Sequence, residues 1–156
     1  MDAKMPAEPL HVPAARLYDQ DFFAWTQETV RLLRARQFDR LDLEALIEEV
    51  QSMGGSQWRE MDSRLLLLIQ HLLKWRYQPK RRSRSWQSTL VIQRFELSRL
   101  LRQSPSLKPS LWESVVQVYP SAARSASAET GLPAATFPDA CPFTPEQILD
   151  PDFLPD

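Results

Sequence analysis

Between Pro13 and Pro79 the chain contains no proline, and the second half of that interval holds one apolar period. Leu46, Val50, Met53, Gln57, Met61, Leu65, Leu68, Leu72 and Trp75 are spaced 4, 3, 4, 4, 4, 3, 4 and 3. The mean step is about 3.6 residues, the period of an α-helix. We therefore expect one spine helix over about 42–78. Asp42 serves as its cap, and Pro79 as its stop because proline biases Gln78 away from the α region. Gly54-Gly55 lies inside this span, yet the stripe keeps its phase across it. Two glycines cost about 2 kcal/mol against alanine, which packing can offset. A straight helix of this length would reach about 55 Å, whereas a compact domain of this size is roughly 40 Å across. The expectation is a continuous helix that bends at the glycines or projects one end.

The other elements fall in place around the spine. From Asp21 to about Gln37, Phe22, Trp25, Thr29, Leu32 and Leu33 recur at helical spacing, with Asp19 or Asp21 as cap and Arg31, Arg34 and Arg36 in the closing turns. After Pro79, Ser83 or Ser85 caps a helix whose buried face is Trp86, Leu90, Leu97, Leu100 and Leu101. Residues 104–109 (SPSLKP) form a turn, and Leu111, Val115, Val118, Tyr119, Ala122 and Ala126 mark a further helix. Pro120 is expected to kink it, and Gly131 with Pro133 ends it. Residues 133–156 carry six prolines and no Lys or Arg, but also Phe137, Phe143, Ile148, Leu149, Phe153 and Leu154. They should lie extended across the bundle, with a short helix begun by the capping box of Thr144-Pro145-Glu146-Gln147. Residues 1–17, with Pro6, Pro9 and Pro13, read as a flexible arm. The fold class is all-α: residues 18–156 form a single-domain bundle of about four main helices around one long, bent helix. Three glycines in 156 residues leave little room for the turns of an all-β fold.

Composition excludes several classes. A hydrophobic share of 43% and a charged share of 25% suit a globular chain, and a net charge of −1 is not that of a generic polybasic protein. One cysteine, Cys141, cannot form an internal disulfide, which fits a reducing compartment. The opening residues lack the apolar stretch of a signal peptide. The longest apolar run, Leu65–Ile69, is far short of the roughly 20 residues that span a bilayer. We expect a cytoplasmic protein with no membrane contact.

Chemistry concentrates in one region. From Ser63 to Phe95 stand Arg64, Lys74, Arg76, Lys80, Arg81, Arg82, Arg84 and Arg94 without one acid, opposed by Asp39, Asp42, Glu44, Glu48, Glu49 and the acidic tail. One reading is a phosphate-binding corner over residues 71–86: Lys74, Arg81, Arg82 and Arg84 hold phosphates, and Trp75, Tyr77 and Trp86 stack on bases or guanidinium groups. The plainer reading, which we favour, is internal neutralisation by the tail or by the acidic start of the spine. A second feature is a polar row of Glu49, Glu60, Arg64, His71 and Lys74 beside the apolar stripe, with Glu48 close by. His71 is the one candidate general base, and it competes with a histidine satisfied by a carbonyl or by Glu49. No metal site or cofactor is expected. There is no E-x-x-H, no second cysteine, no glycine-rich phosphate loop and no G-x-S-x-G. Tryptophans are more often core or interface anchors than stackers, and an exposed Trp58 would favour dimerisation.

With these segments in hand, the chain resembles a bacterial family known as domain of unknown function 29. The resemblance rests on YDQDFFAW (Tyr18–Trp25), LDLEALIEEVQSMG (Leu41–Gly54), HLLKWRYQP with RRSRSW (His71–Trp86), SLKPSL (Ser106–Leu111), AETGLP (Ala128–Pro133) and CPFTPEQILDPDFLP (Cys141–Pro155). It implies an all-α fold of about this size and no particular activity. Gly55 and Pro120 depart from the family pattern. The function expected from all this is a small helical interaction or adaptor module with a protein partner or a second copy. The alternative is a nucleic-acid- or phosphate-binding protein, with a small nuclease or toxin-like enzyme as its catalytic form.

Overall fold

The computed structural model describes residues 14–156, with side chains from Leu17 onward. Among the described residues there are six α-helices and no strand: α1 Ala14–Gln20, α2 Phe22–Arg34, α3 Leu43–Tyr77, α4 Arg84–Gln103, α5 Leu111–Thr130 and α6 Pro145–Leu149. Short 3-10 turns cover Phe38–Arg40, Pro79–Arg81, Pro105–Ser110 and Ala134–Thr136. The fold class is all-α, as expected, and α3 runs for 35 residues through both glycines. The chain divides into two compact units between Gly54 and Gly55, whereas the sequence reading takes 18–156 as one domain.

The first unit holds α1, α2 and the start of α3. Residues 14–17, the last of the arm named above, open α1. Ala-Ala-Arg-Leu are strong helix formers, and proline is tolerated just ahead of a helix. The rest of that arm, with His11, lies outside the described residues. Asp21 caps α2 by accepting from the Ala24 N–H at 2.9 Å. Three rings gather at this corner: Tyr18 stands edge-on to Trp25 at 5.0 Å, and Phe22 stacks on Trp25 at 5.5 Å. Trp25, Thr29, Leu32 and Ala45 are buried. Two members of the expected α2 face, Phe22 and Leu33, are instead exposed. Arg36 closes α2 in the left-handed region at φ 56°, while the Gln37 N–H reaches the Leu32 carbonyl at 3.0 Å. Asp42 caps α3 through the Ala45 N–H at 3.2 Å.

The second unit contains the main core. Met61, Leu65, Leu68, Leu72 and Leu73 of α3 are fully buried with Leu90 and Leu97 of α4, Val115, Ala122 and Ala126 of α5, and Ile148 of α6. At about 25 cal/mol per Å² of apolar surface, such a cluster is the largest stabilising term. Ser83 caps α4 through the Trp86 N–H at 3.2 Å. Helix α5 continues past Pro120 to Thr130. Pro120 and Val116 both face solvent, so the carbonyl that proline leaves unpaired lies on the outer side, where the cost is least. Gly131 takes φ 72° at the end of α5. The tail then crosses this unit with Phe137, Phe143 and Ile148 buried. Thr144 and Gln147 form the expected capping box.

Candidate functional site

The basic corner lies in the second unit, where α3 ends, turns at Pro79 and continues into α4. Its members have separate fates. Lys74 is only 5% exposed. Its ammonium donates to the Glu129 carboxylate on α5 and lies 4.5 Å from the centre of the Trp86 ring. Gln70 donates to the other oxygen of Glu129 at 2.6 Å. Lys74 and Trp86 are thus brought together by a cation–π contact, around an ammonium already paired with Glu129. Trp75 is half-buried and carries the Arg82 guanidinium 5.2 Å above its ring. Arg82 also donates to the Trp75 carbonyl at 3.0 Å and to the Pro155 carbonyl at 3.3 Å. Tyr77 packs edge-on against Phe137 at 5.3 Å, with Arg76 5.8 Å from its ring. Lys80, Arg81 and Arg84 are exposed, and no carboxylate among the described residues pairs with them.

His71 sits one turn before this cluster, half-buried. Its Nδ1 is 2.9 Å from the Leu67 carbonyl. A carbonyl only accepts, so Nδ1 carries the proton and Nε2 is the basic nitrogen. Burial, ahead of the nearby Lys74 charge, holds the imidazole below its ordinary value, against the opposing pull of the Leu67 hydrogen bond. No carboxylate among the described residues hydrogen-bonds to the imidazole, and Glu129 acts on it only through its charge. Among the described residues, no group of histidine, cysteine and carboxylate side chains could hold a metal ion.

The remaining members of the polar row separate as well. Arg64 forks between Glu60 at 3.4 Å, Gln93 at 3.2 Å and Glu96 at 4.0 Å. Glu49, in the first unit, accepts from the Tyr18 hydroxyl at 2.7 Å. That bond is the main reason the phenol is pushed up to about 12. Glu48 is exposed.

Two further residues matter here: Glu129, which the sequence pattern does not single out, and Arg94, which it counts only as one of eight basic residues. Glu129 lies in the last turn of α5, where a negative charge opposes the helix dipole; that misfit was the available signal of a cationic partner. Arg94 falls between Leu90 and Leu97 on the buried face of α4 and is 4% exposed. Its guanidinium donates to four tail carbonyls: Ile148 at 2.9 Å, Pro151 at 3.3 Å, Gln147 at 3.3 Å and Phe153 at 2.8 Å. A cation inside an apolar period was the signal, and its task is to anchor the tail. Desolvation lowers the affinity of Arg94 for its proton, while Asp150 and Asp152 raise it.

The first unit presents a different surface. Leu43, Ile47 and Val50 stand at i, i+4 and i+7 of α3 and are 57%, 43% and 60% exposed. The sequence reading placed Val50 and Met53 on the buried stripe, but Met53 is also exposed, at 68%. Periodicity detects an apolar face and cannot say what covers it. In this unit the covered side of α3 carries Ala45, Leu46 and Glu49 instead. Trp58, in the second unit, is 39% exposed.

These features describe an all-helical protein with a well-packed second unit and an apolar stripe open at the start of its longest helix. The chain matches the family described as Domain of unknown function DUF29 over residues 17–154 and belongs to it. No curated protein and no solved structure gives a match. No helix among the described residues is long and apolar enough to cross a membrane.

Proposed function

We propose that the protein is a small helical interaction module whose docking surface is the α3 stripe of Leu43, Ile47 and Val50. The carrying observation is their exposure on one side of a helix. Clustered exposed apolar side chains of this kind mark interaction sites, and seven residues of helix cover about 10 Å, the scale of helix-in-groove recognition. A photo-crosslinking residue at Val50 should trap a discrete protein adduct in cells, and one at the exposed Arg124 should not. Equal labelling from both positions, or none from Val50, would sink the reading. We also place the chain in the cytoplasm, on its lone cysteine, Cys141.

A second reading is favoured by the exposure of Lys80, Arg81 and Arg84 without carboxylate partners. Because Trp75, Tyr77 and Trp86 are engaged by Arg82, Phe137 and Lys74, such a surface would hold backbone phosphates by charge and not by base stacking. Retention on immobilised nucleic acid should fall with salt and vanish in Arg81→Ala/Arg84→Ala. No retention at low salt would exclude it.

A further inference from the structure

The tail meets the basic corner through its backbone and not through its acids. Arg82 reaches the Pro155 carbonyl at 3.3 Å, and Arg94 reaches those of Pro151 and Phe153 at 3.3 and 2.8 Å. Asp150, Asp152 and Asp156 form no ion pair among the described residues. Asp156 nevertheless lines one cavity of about 200 Å³ with Arg76, walled by Phe143, Phe153 and Pro155. The backbone N–H groups of this segment do not hold it to the long helices. Those of Asp152 and Phe153 turn back to Asp150, to its carboxylate at 2.9 Å and its carbonyl at 3.3 Å. Residues 151–156 therefore rest on two guanidinium groups and on the packing of Phe153, Leu154 and Pro155.

A neutral carbonyl is a weak partner for a guanidinium. A phosphate offers shorter, charge-assisted and bidentate bonds, about twice as strong as those between neutral groups. Arg82 is exposed, and it stands in the chain between Arg81 and Arg84, which have no partner acid. Resting on the second reading above, in which Lys80, Arg81 and Arg84 hold backbone phosphates, we infer that residues 151–156 are an autoinhibitory strap over that surface. Closed, the strap engages Arg82 with a carbonyl and keeps the charge of Asp156 beside Arg76, where it repels a polyanion. Open, it lets Arg82 join the phosphate-binding set. The face of Trp75 that Arg82 covers then becomes free to stack on a base. The swing begins at Asp150-Pro151, just past α6. Helix α6 stays in place, because Ile148 is fully buried and Arg94 also holds the Gln147 and Ile148 carbonyls.

Fluorescence anisotropy of the full chain with a labelled single-stranded oligonucleotide at low salt tests this. The wild type should bind weakly. Phe153→Ser/Leu154→Ser removes apolar packing of the strap and none of the corner's cations. It should bind about tenfold more tightly, the factor by which a mostly closed population lowers affinity. Adding Arg81→Ala/Arg84→Ala should abolish that gain. In the wild type, saturating oligonucleotide should speed amide exchange at Phe153 and leave the Ile148 amide unchanged. Equal affinity of the wild type and the strap variant, with both binding, overturns the strap and leaves the phosphate surface standing. Binding by neither overturns both. Should the strap variant lose its fold, the wild-type exchange decides alone, and an unchanged rate at Phe153 under saturating oligonucleotide overturns the inference.

Discussion

The ammonium of Lys74 on α3 is paired with the carboxylate of Glu129 on α5, at a helix end that would by itself repel a negative charge. The pair is asymmetric: the Lys74 side chain is 6% exposed and that of Glu129 is 49% exposed. Removing the acid strands a buried cation, whereas removing the cation leaves an acid that water can reach. Glu129→Gln should therefore destabilise by about 2 kcal/mol, and Lys74→Met by clearly less. Chemical denaturation of both variants checks the order, and equal losses would contradict it.

The same pair shapes the acid limb of stability. The hydrogen bond from Lys74, more than any other contact, holds the Glu129 carboxyl below its ordinary value of 4.5. A lowered carboxyl contributes stability that is present above the unfolded value and is lost as pH falls through the folded one. Melting temperature should decline below about pH 4.5, and Glu129→Gln should flatten that part of the profile.

His71 acts in the same direction at higher pH. Its imidazole is held below 6.5, chiefly by burial, so the folded state disfavours the proton. Stability is full above the unfolded value and is lost as pH falls from there through the folded one. An NMR titration of wild type should place the His71 resonance below an exposed histidine, and His71→Gln should remove the corresponding slope. A resonance titrating above 6.5 would overturn this account.

Arg94 is the tail's anchor. Arg94→Met leaves four carbonyls to find other partners and should cost about 3 kcal/mol. Amide exchange should rise first over residues 145–154, ahead of the α3 core. Arg94→Lys should rescue little, since an ammonium lacks the planar fork that reaches separated carbonyls.

Backbone substitutions should split by conformation. Arg36 is a non-glycine residue at φ 56°, and Arg36→Gly should stabilise by about 1 kcal/mol. A Cβ at Gly54 would meet nothing within 4 Å, so Gly54→Ala should also stabilise, by about 1 kcal/mol. At Gly131, with φ 72°, alanine should instead cost about 1 kcal/mol. Thermal unfolding distinguishes all three.

Much of the architecture was legible because it depends on local rules. Asp21, Asp42, Ser83 and Thr144 cap helices because each is a short polar side chain ahead of an apolar period. Pro79 and Gly131 end helices through their own backbone limits. The stripe from Met61 to Leu72 is buried because an unbroken apolar period beside α4 and α5 has no better place. In the basic segment the order failed. Composition groups Lys74, Trp75, Arg82 and Trp86 as a surface, while the structure covers Lys74 with Trp86 and spends Arg82 on Trp75 and Pro155.

By itself, then, the sequence determined helix positions, caps and stops, since those arise from contacts within a few residues. Only the tertiary structure decided which stripe is covered and which cation is spent. The same pattern is buried at Leu65 and open at Val50, and the same residue type anchors the tail at Arg94 yet meets solvent at Arg84. Those outcomes depend on partners 50 or more residues away, such as Glu129 for Lys74 and Phe153 for Arg94. Periodicity encodes a face, and only packing assigns its neighbour.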